Sequence, residues 1–258
     1  MVKLGDYKAQ SHTVQKIGIQ VGAILVSLLM GAVIIKLLGL SPAKAYIALY
    51  KGGLGSVNAI GETLVKTTPL ILTGLSYAFA YRSGLINIGA EGQLYMGGFA
   101  ATLAGIHLTA LPMIIHIPVA LAAGFIGGGL WGLLVGWLKV RFGANEIITT
   151  VMLNYVAMYF VSFLVTGPMK APPGNYPESR HVAESAILPT LLPGTRLHIG
   201  LLVALAAILF YFIFMWKMKV GYEMRVVGRN MTASRYAGMK PEKMMILAMF
   251  IEIGRAHV

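Results

Sequence analysis

Three short stretches carry most of the polar side chains that could act on a solute. In the first, residues 84–93, three glycines accompany Asn87, Glu91 and Gln93 between two apolar runs. One helical turn would place Asn87 and Glu91 on the same face, because they are four residues apart. The pattern predicts either a tight turn with a capping carboxylate or a broken helix whose backbone lines a cavity. Within a bilayer, irregular backbone is tolerated only where it is buried or lines such a cavity.

The second stretch, residues 145–155, opens another apolar run. Glu146, Thr150 and Asn154 recur every four residues with Thr149 beside them, so a helix would present them on one face. Polar groups inside a membrane span usually face the bundle interior or a water-filled path. Two interpretations remain open: the stripe joins helices by hydrogen bonds, or it lines a pathway for a hydrophilic solute.

The third stretch is the polar loop that precedes the last apolar run. Asn230 is a favourable N-cap and Gly238 a favourable residue just beyond a helix end. These signals predict a short helix over residues 231–237, in which Ala233 and Ala237 form a small, smooth face. Such a face suits insertion into a partner's groove; a solvated surface helix is the alternative.

No arrangement typical of an enzyme is present. The chain contains no Cys, which excludes thiol catalysis, disulfides and thiolate metal sites. The six His residues show no metal-ligand spacing, and no HExxH, GxSxG or Walker A motif occurs. An intramembrane hydrolase is the enzymatic alternative, but no nucleophile–base pair can be named for it. We therefore expect no catalytic residue, no metal and no cofactor.

The three polar stretches are separated by long apolar runs, so the elements that position them are formed by these runs. Hydrophobic residues make up 57% of the 258 and charged residues 12%, whereas a soluble domain has about 25% charged residues. The net charge of +12 is better explained by Lys and Arg in cytoplasmic loops than by nucleic-acid binding, because no basic amphipathic face or aromatic platform appears. The composition predicts an all-α fold, a polytopic transmembrane helical bundle.

A transmembrane helix needs about 20 mostly apolar residues. Most Lys and Arg residues fall on the inner side if the N-terminus is cytoplasmic, which favours that orientation. Six to seven candidate spans are found, at residues 17–40, 64–81, 93–111, 114–138, 147–166 and 199–216, with a further start at Met244.

Glycines in the fourth candidate span recur every four residues and would line one helix face. This pattern predicts close packing against a neighbouring helix and no contact with a solute. The ridge consists of Gly124, Gly128, Gly132 and Gly136.

The last seven residues differ in character from the rest. Residues 252–258 read like the translation of a sequencing-library adapter and interrupt an apolar helix. We expect one transmembrane domain over residues 1–251, incomplete at its C-terminus, followed by a non-native tail over residues 252–258.

The three polar stretches resemble those of a known family. GLINIGAEGQLYMGG, GANEIITTVMLNY and G-x-x-x-R-V-V-G-R-N-x-x-A-S-R-Y-A-G are similar to permease subunits of ABC importers for simple sugars, nucleosides and branched-chain amino acids. The second motif looks most like the nucleoside-type permeases. The resemblance covers residues 17–251, and the order of the motifs agrees throughout. One departure is Ala233-Ser234, where the family usually has two alanines; Ser is small enough to keep the face smooth.

The resemblance implies a multi-pass subunit of a bacterial importer in the cell membrane, with a cytoplasmic N-terminus. Its expected partners are a second permease subunit, two cytoplasmic ATPase subunits, an extracytoplasmic binding protein and the lipid bilayer. The absent Walker A motif agrees with a separate ATPase. The alternatives are a passive channel or facilitator, a permease for branched-chain amino acids, and a membrane scaffold without a transport role.

Two groups of residues are assigned on this basis. The candidate translocation pathway comprises Asn87, Glu91, Gln93, Glu146, Thr149, Thr150 and Asn154. The candidate ATPase-coupling helix comprises Gly228, Asn230, Ala233, Ser234, Ala237 and Gly238.

Overall fold

The structure is a computed structural model that describes the backbone of residues 3–174 and 176–253, and the side chains of residues 18–174 and 176–251. Within these residues it contains ten α-helices and no β-strand beyond two isolated bridges. In chain order the helices are α1 (Lys3–Leu37), α2 (Pro42–Leu54), α3 (Val57–Arg82), α4 (Ala90–His107), α5 (Met113–Phe142), α6 (Glu146–Thr166), α7 (Gly200–Lys217), α8 (Lys219–Arg229), α9 (Met231–Tyr236) and α10 (Pro241–Ile253).

The predicted all-α bundle is confirmed, and the chain is a multi-pass membrane protein. Four of the described helices are long and apolar enough to cross a membrane, namely Gly18–Leu37, Met113–Phe142, Glu146–Thr166 and Gly200–Lys217. The other three predicted spans coincide with α3, α4 and α10, so the count of six to seven stays a prediction. Helix α3 continues through Pro69 and is longer than expected from its apolar run.

The chain divides into two compact units, Met1–Ile60 and Gly61–Val258. In the first unit, the Ser41 side chain caps α2, and the Tyr46 hydroxyl donates a hydrogen bond to the Leu28 carbonyl of α1 at 2.5 Å. Helix α2 was not predicted, because its 13 residues are too few for a span and carry no strong apolar period. The sites described below lie in the second unit.

Large apolar side chains cover the outside of the spanning helices. Leu29 is 67% exposed, Ile114 87% and Phe163 65%. In water such surfaces would drive aggregation, but lipid tails solvate them. Burial of apolar area is therefore not what joins these helices; close packing and hydrogen bonds must do so.

The predicted glycine ridge on α5 is confirmed, since all four of its glycines are buried. A Cβ atom on Gly136 would lie 3.2 Å from the Ile246 Cα atom of α10. Gly127, outside the ridge, faces α4: a Cβ there would lie 2.5 Å from the Ala100 Cβ. Helix α5 thus approaches two neighbours through glycines on two faces.

One apolar cluster joins the ends of five elements. Phe79 of α3 is at its centre, with the Tyr211 ring edge-on at 4.7 Å and the Phe214 ring at 5.6 Å. The buried members are Phe79, Ala80, Leu85, Val135, Phe214, Met215, Met224, Met245, Ala248 and Met249. This packing holds α8 and the start of α10 against the spanning helices.

Helix α8 was not predicted, although the sequence contained a signal for it. Its buried residues Gly221, Met224 and Val227 are spaced three apart, an amphipathic period inside a segment otherwise read as a polar loop. The close fit of Gly221 confirms the packing, since a Cβ there would lie 2.1 Å from the Phe214 carbonyl oxygen.

The loop between α6 and α7 is rich in proline, which disfavours an α-helix, and its described residues form none. They form two isolated β-bridges and a 3₁₀ turn, Glu184–Ala186, which docks on α5. There the buried His116 Nδ1 lies 2.7 Å from the Ser185 Oγ, and its Nε2 lies 3.1 Å from the Ala104 carbonyl oxygen.

The expected non-native tail, residues 252–258, lies outside the residues whose side chains the structure describes, so it stays a prediction.

The tight α4–α5 contact leads to a first prediction. Replacing Gly127 by Ala should lower the thermal denaturation midpoint in detergent by several degrees, because overpacking costs about 1–3 kcal/mol. The control is Gly98→Ala in α4, where no atom lies within 4 Å of the added Cβ. The measurement is fluorescence-detected size-exclusion chromatography after heating. Equal midpoints for the two variants would contradict the packing.

Candidate functional site

Residues 83–89, between α3 and α4, interrupt the helical structure. Residues 85–88, the extended segment, run between a turn at residues 83–84 and a turn at Gly89, and every second residue from 83 to 89 is buried. The buried positions are Ser83, Leu85, Asn87 and Gly89, and the exposed ones are Gly84, Ile86 and Ile88. The segment is longer than a simple tight turn, and the broken helix at membrane depth stays a prediction.

Asn87 and Gln93 turn inward and hold this break. The Asn87 Oδ1 accepts a hydrogen bond from the Gly89 N–H at 2.6 Å, and its Nδ2 donates to the Gln93 Oε1 at 3.4 Å. Both side chains are almost completely buried, at 4% and 1% exposure. The Gln93 Nε2 has no hydrogen-bond partner among the described residues. Asn87 therefore holds the backbone of the break, Gln93 contacts Asn87, and neither lines the cavity described below.

Asn154 of α6 connects to the same break from a distant part of the chain. Its Oδ1 accepts a hydrogen bond from the Gly92 N–H at 2.9 Å, and its Nδ2 donates to the Ile88 carbonyl oxygen at 3.0 Å. One amide thus satisfies an orphan N–H in the first turn of α4 and a carbonyl of the extended segment. Because buried backbone groups without partners are costly, this double hydrogen bond stabilises the break.

Small residues make this approach possible. A Cβ on Gly92 would lie 2.8 Å from the Asn154 Cα, and a Cβ on Gly89 would lie 2.9 Å from the Thr150 Cβ. Thr150 is completely buried, and its hydroxyl donates to the Ile147 carbonyl at 3.0 Å. The glycines of the first motif and the polar face of the second are therefore complementary surfaces.

The other two residues of the polar face have partners near the start of α6. Glu146 forms an ion pair with Lys139 of α5 at 2.5 Å. The Thr149 hydroxyl donates to the Asn145 carbonyl at 2.8 Å, and the Asn145 side chain caps α6 by accepting from the Ile147 N–H at 3.0 Å. These contacts anchor the start of α6 beside α5.

A cavity of about 330 Å³ opens where α6 passes the break. Among the candidate pathway residues, Glu91 and Asn154 reach it; Glu91 is exposed and lies in the first turn of α4, where the helix dipole favours its charge. The lining residues are Ile88, Glu91, Val151, Asn154, Tyr155 and Met158. Tyr155 and Met158 were missed in the sequence, because aromatic and Met residues are unremarkable in an apolar run.

The predicted short helix in the polar loop is confirmed as α9, Met231–Tyr236. The Asn230 side chain caps it by accepting a hydrogen bond from the Ala233 N–H at 2.9 Å, and Gly238 follows with φ of +79°. Ala233 and Ala237 are exposed, as a docking face requires, whereas Ser234 is completely buried.

Gly228 does not belong to this helix, as it lies on α8. A Cβ on Gly228 would lie 2.3 Å from the Arg82 carbonyl oxygen, and one on Gly84 would lie 2.9 Å from the Gly228 Cα. Two backbones therefore touch here, and a glycine is needed on each side. This contact joins α8 to the broken segment.

An ion pair between Arg235 and Glu242 links α9 to α10. The pKa of the Glu242 carboxyl lies below its usual value, first because its own backbone N–H donates to it and then because Arg235 donates to it. The pair is well exposed, so it orients α9 and adds little stability.

Comparison with known proteins places the chain in a family. Residues 59–252 match the family described as branched-chain amino acid transport system / permease component. No solved structure matches.

Three relatives are similar over most of the chain. The guanosine ABC transporter permease protein NupP of Bacillus subtilis is 40% identical over 89% of this chain and 66% of its own length. The glucose ABC transporter permease protein TsgB13 of Haloferax volcanii is 37% identical over 86% and 61%. The nucleoside ABC transporter permease protein NupB of Lactococcus lactis is 32% identical over 93% and 68%.

The chain spans about two thirds of the length of these relatives. The family match covers most of the chain, and the three motifs that carried the resemblance all fall within it. The chain therefore belongs to the family of branched-chain amino acid transport system permease components.

Proposed function

We propose that this chain is the membrane-spanning subunit of an ATP-driven importer and forms part of the translocation pathway for a nucleoside or a simple sugar. This proposal rests on the cavity at the break between α3 and α4, which is lined by the Glu91 carboxylate, the Asn154 amide and the Tyr155 ring. The names of the relatives, which act on guanosine, glucose and nucleosides, support the same substrate class.

The lining of the cavity suits a neutral polyol better than an amino acid. Glu91 offers acceptors for hydroxyl groups and Tyr155 offers an aromatic surface, while the lining includes no Lys or Arg that could pair with the carboxylate of an amino acid. Weak contacts of this kind also permit release, which a pathway requires. A nucleoside or sugar is therefore favoured over a branched-chain amino acid.

The seven candidate pathway residues divide into two roles in this proposal. Glu91 contacts the solute directly, and Asn154 borders the cavity while its amide holds the break. The other five, Asn87, Gln93, Glu146, Thr149 and Thr150, position the backbone and helix ends around it.

Coupling to ATP hydrolysis is assigned to α9. Its exposed small residues Ala233 and Ala237 would enter a groove on a cytoplasmic ATPase subunit, and Asn230 and Gly238 define its ends. The complete importer would pair this chain with a second permease subunit, two ATPase subunits and an extracytoplasmic binding protein. A passive channel or facilitator needs no such helix, so the role of α9 discriminates between the two.

The N-terminus is proposed to be cytoplasmic. With a cytoplasmic N-terminus, the predicted topology puts Arg82 of α3 and Arg225 of α8 on the inner side, and these two residues border one cavity. It puts Lys170 and Arg180 of the α6–α7 loop on the outer side, where they border another cavity with His107.

The role of Glu91 can be tested in the full-length protein. Glu91→Ala should lower nucleoside uptake about tenfold, because a hydrogen bond to a charged group contributes about 1.5–3 kcal/mol. Uptake of radiolabelled nucleoside into cells without other nucleoside transporters measures this. Asn154 is a poorer probe, since its loss would also leave two backbone groups unsatisfied.

The matched control for this test is Glu62→Ala, whose carboxylate is 3.9 Å from Arg196 and does not line the cavity. It should transport normally. Normal uptake by Glu91→Ala, with normal assembly of the ATPase subunits, would contradict the pathway assignment.

The role of α9 predicts that Ala233→Arg uncouples the importer. An arginine at this exposed position would be buried unpaired in the groove, at a cost of several kcal/mol. Co-purification of the ATPase subunits and nucleoside uptake should both be lost, while membrane insertion is retained. Ala233→Ser is the control and should behave as the parent. Normal uptake by Ala233→Arg would favour a passive channel.

The orientation can be tested by labelling single cysteines, because the chain has no native Cys. Tyr176→Cys in the α6–α7 loop should react with an impermeant maleimide on intact cells. Tyr236→Cys in α9, expressed without the ATPase, should react only after permeabilisation. Both positions are highly exposed, at 71% and 91%. The opposite labelling pattern would show that the N-terminus is external.

A further inference from the structure

Three arginines border a cavity of about 480 Å³ that lies apart from the candidate pathway. Arg82 is the last residue of α3, while Arg225 and Arg229 are one turn apart on α8. The lining residues are Tyr81, Arg82, Gly84, Leu85, Ile86, Trp216, Tyr222, Arg225, Gly228 and Arg229.

The positive charge of this cluster is not compensated within the described part of the chain. There, no carboxylate lies within 4.0 Å of a guanidinium nitrogen of any of the three arginines. Glu223, the acidic residue on α8, is directed to Lys219 instead, at 3.8 Å. The Arg225 Nε is buried and has no hydrogen-bond partner among the described residues. Guanidinium N–H donors without a carboxylate partner are expected to bind an anion from outside the chain.

Aromatic rings hold two of the three arginines, Arg82 and Arg225, in place without neutralising them. The Arg225 guanidinium lies 4.2 Å from the centre of the Trp216 ring and 5.9 Å from that of Tyr222. The Arg82 guanidinium lies 5.5 Å from the same Trp216 ring. Cation–π contacts fix the orientation of the planar groups and leave their N–H donors free for an anion.

The surroundings of the cavity are those of a membrane interface. Trp216 lies in the last turn of a spanning helix, where Trp and Tyr are enriched at the level of lipid headgroups. Above it on the same helix face, Leu209 is 60% exposed and Phe212 53% exposed. Ile86 adds an exposed apolar wall to the cavity itself. A fitting ligand therefore has an anionic group at one end and an apolar body at the other.

We infer that this cavity binds the phosphate of an anionic phospholipid headgroup, with Arg82, Arg225 and Arg229 as its donors. Arginine pairs with phosphate through two parallel hydrogen bonds, and basic pockets between membrane helices on the cytoplasmic side are suited to anionic headgroups. A soluble phosphate has the same anionic chemistry, but it would leave the neighbouring apolar surface unused. The bound lipid would rest on both α8 and the broken segment, which touch at Gly84 and Gly228.

The test is native mass spectrometry of the full-length importer complex, delipidated in mild detergent and titrated with phosphatidylglycerol or phosphatidylethanolamine. The parent should bind phosphatidylglycerol in preference. Arg225→Gln should weaken that binding about tenfold or more, as expected for the loss of a charge-assisted hydrogen bond. Arg141→Gln, at an exposed arginine in the last turn of α5, is the matched control and should bind as the parent.

A second variant distinguishes loss of the lipid site from misfolding of Arg225→Gln. Arg82→Gln changes an exposed side chain of the same cluster and should also weaken phosphatidylglycerol binding. Equal phosphatidylglycerol binding by both cavity variants and by Arg141→Gln would overturn the site. Displacement of the lipid by inorganic phosphate would reassign it to a soluble anion. Loss of the ATPase or second permease subunit from both variants, with lipid binding unchanged, would show instead that the cluster is a protein interface.

Discussion

A backbone hydrogen-bond requirement governs this structure. A chain that leaves the helical conformation between two helices leaves backbone N–H and carbonyl groups without helical partners, and such groups are costly where they are buried. Here the side-chain amide of Asn154 satisfies two of them, the Gly92 N–H and the Ile88 carbonyl. It must approach within van der Waals contact to do so, which requires a glycine at position 92 and a small, buried Thr150 beside Gly89. The break thus accounts for the glycines of the first polar stretch, residues 84–93, and for the polar residues of the second, residues 145–155.

This constraint also explains why one face of α6 can support a helix junction and border a cavity. Thr150 is completely buried against the break, whereas Asn154 is only half-buried and contributes to the cavity wall beside Glu91. Hydrogen bonding between helices and a pathway for a solute were alternative interpretations of the polar stripe. The structure shows the hydrogen bonds, and the pathway remains our proposal for the exposed residues.

The break is physically connected to the proposed coupling helix. Gly84 of the broken segment touches Gly228 of α8 through their backbones. Asn230 ends α8 and at the same time caps α9 through the Ala233 N–H. Helix α8 thus forms a continuous packed connection between α9 and the backbone that borders the cavity.

Features encoded in contiguous residues were predictable from the sequence. Apolar runs predicted the all-α membrane bundle, the glycine-rich motif predicted an interruption of helical structure, and Asn230 with Gly238 predicted α9. Each depends on local conformational preference or on the solvent that a segment requires, so no distant partner is needed to recognise it. The glycine ridge of α5 was predictable for the same reason, because its period lies within a single helix.

Only the tertiary structure decided which polar groups face each other. The partner of Gly92 lies 62 residues away on another helix, and no sequence period identifies it. Asn87 and Glu91 were expected on one helical face, but Asn87 lies in the non-helical segment and is buried, whereas Glu91 lies in the first turn of α4 and is exposed. Likewise, the packing of α8 placed Gly228 outside the proposed coupling helix. The sequence determined most of the helical segments and the interruption between α3 and α4, although α2 and α8 were recognised only in the structure. Helix packing determined the surroundings of each side chain.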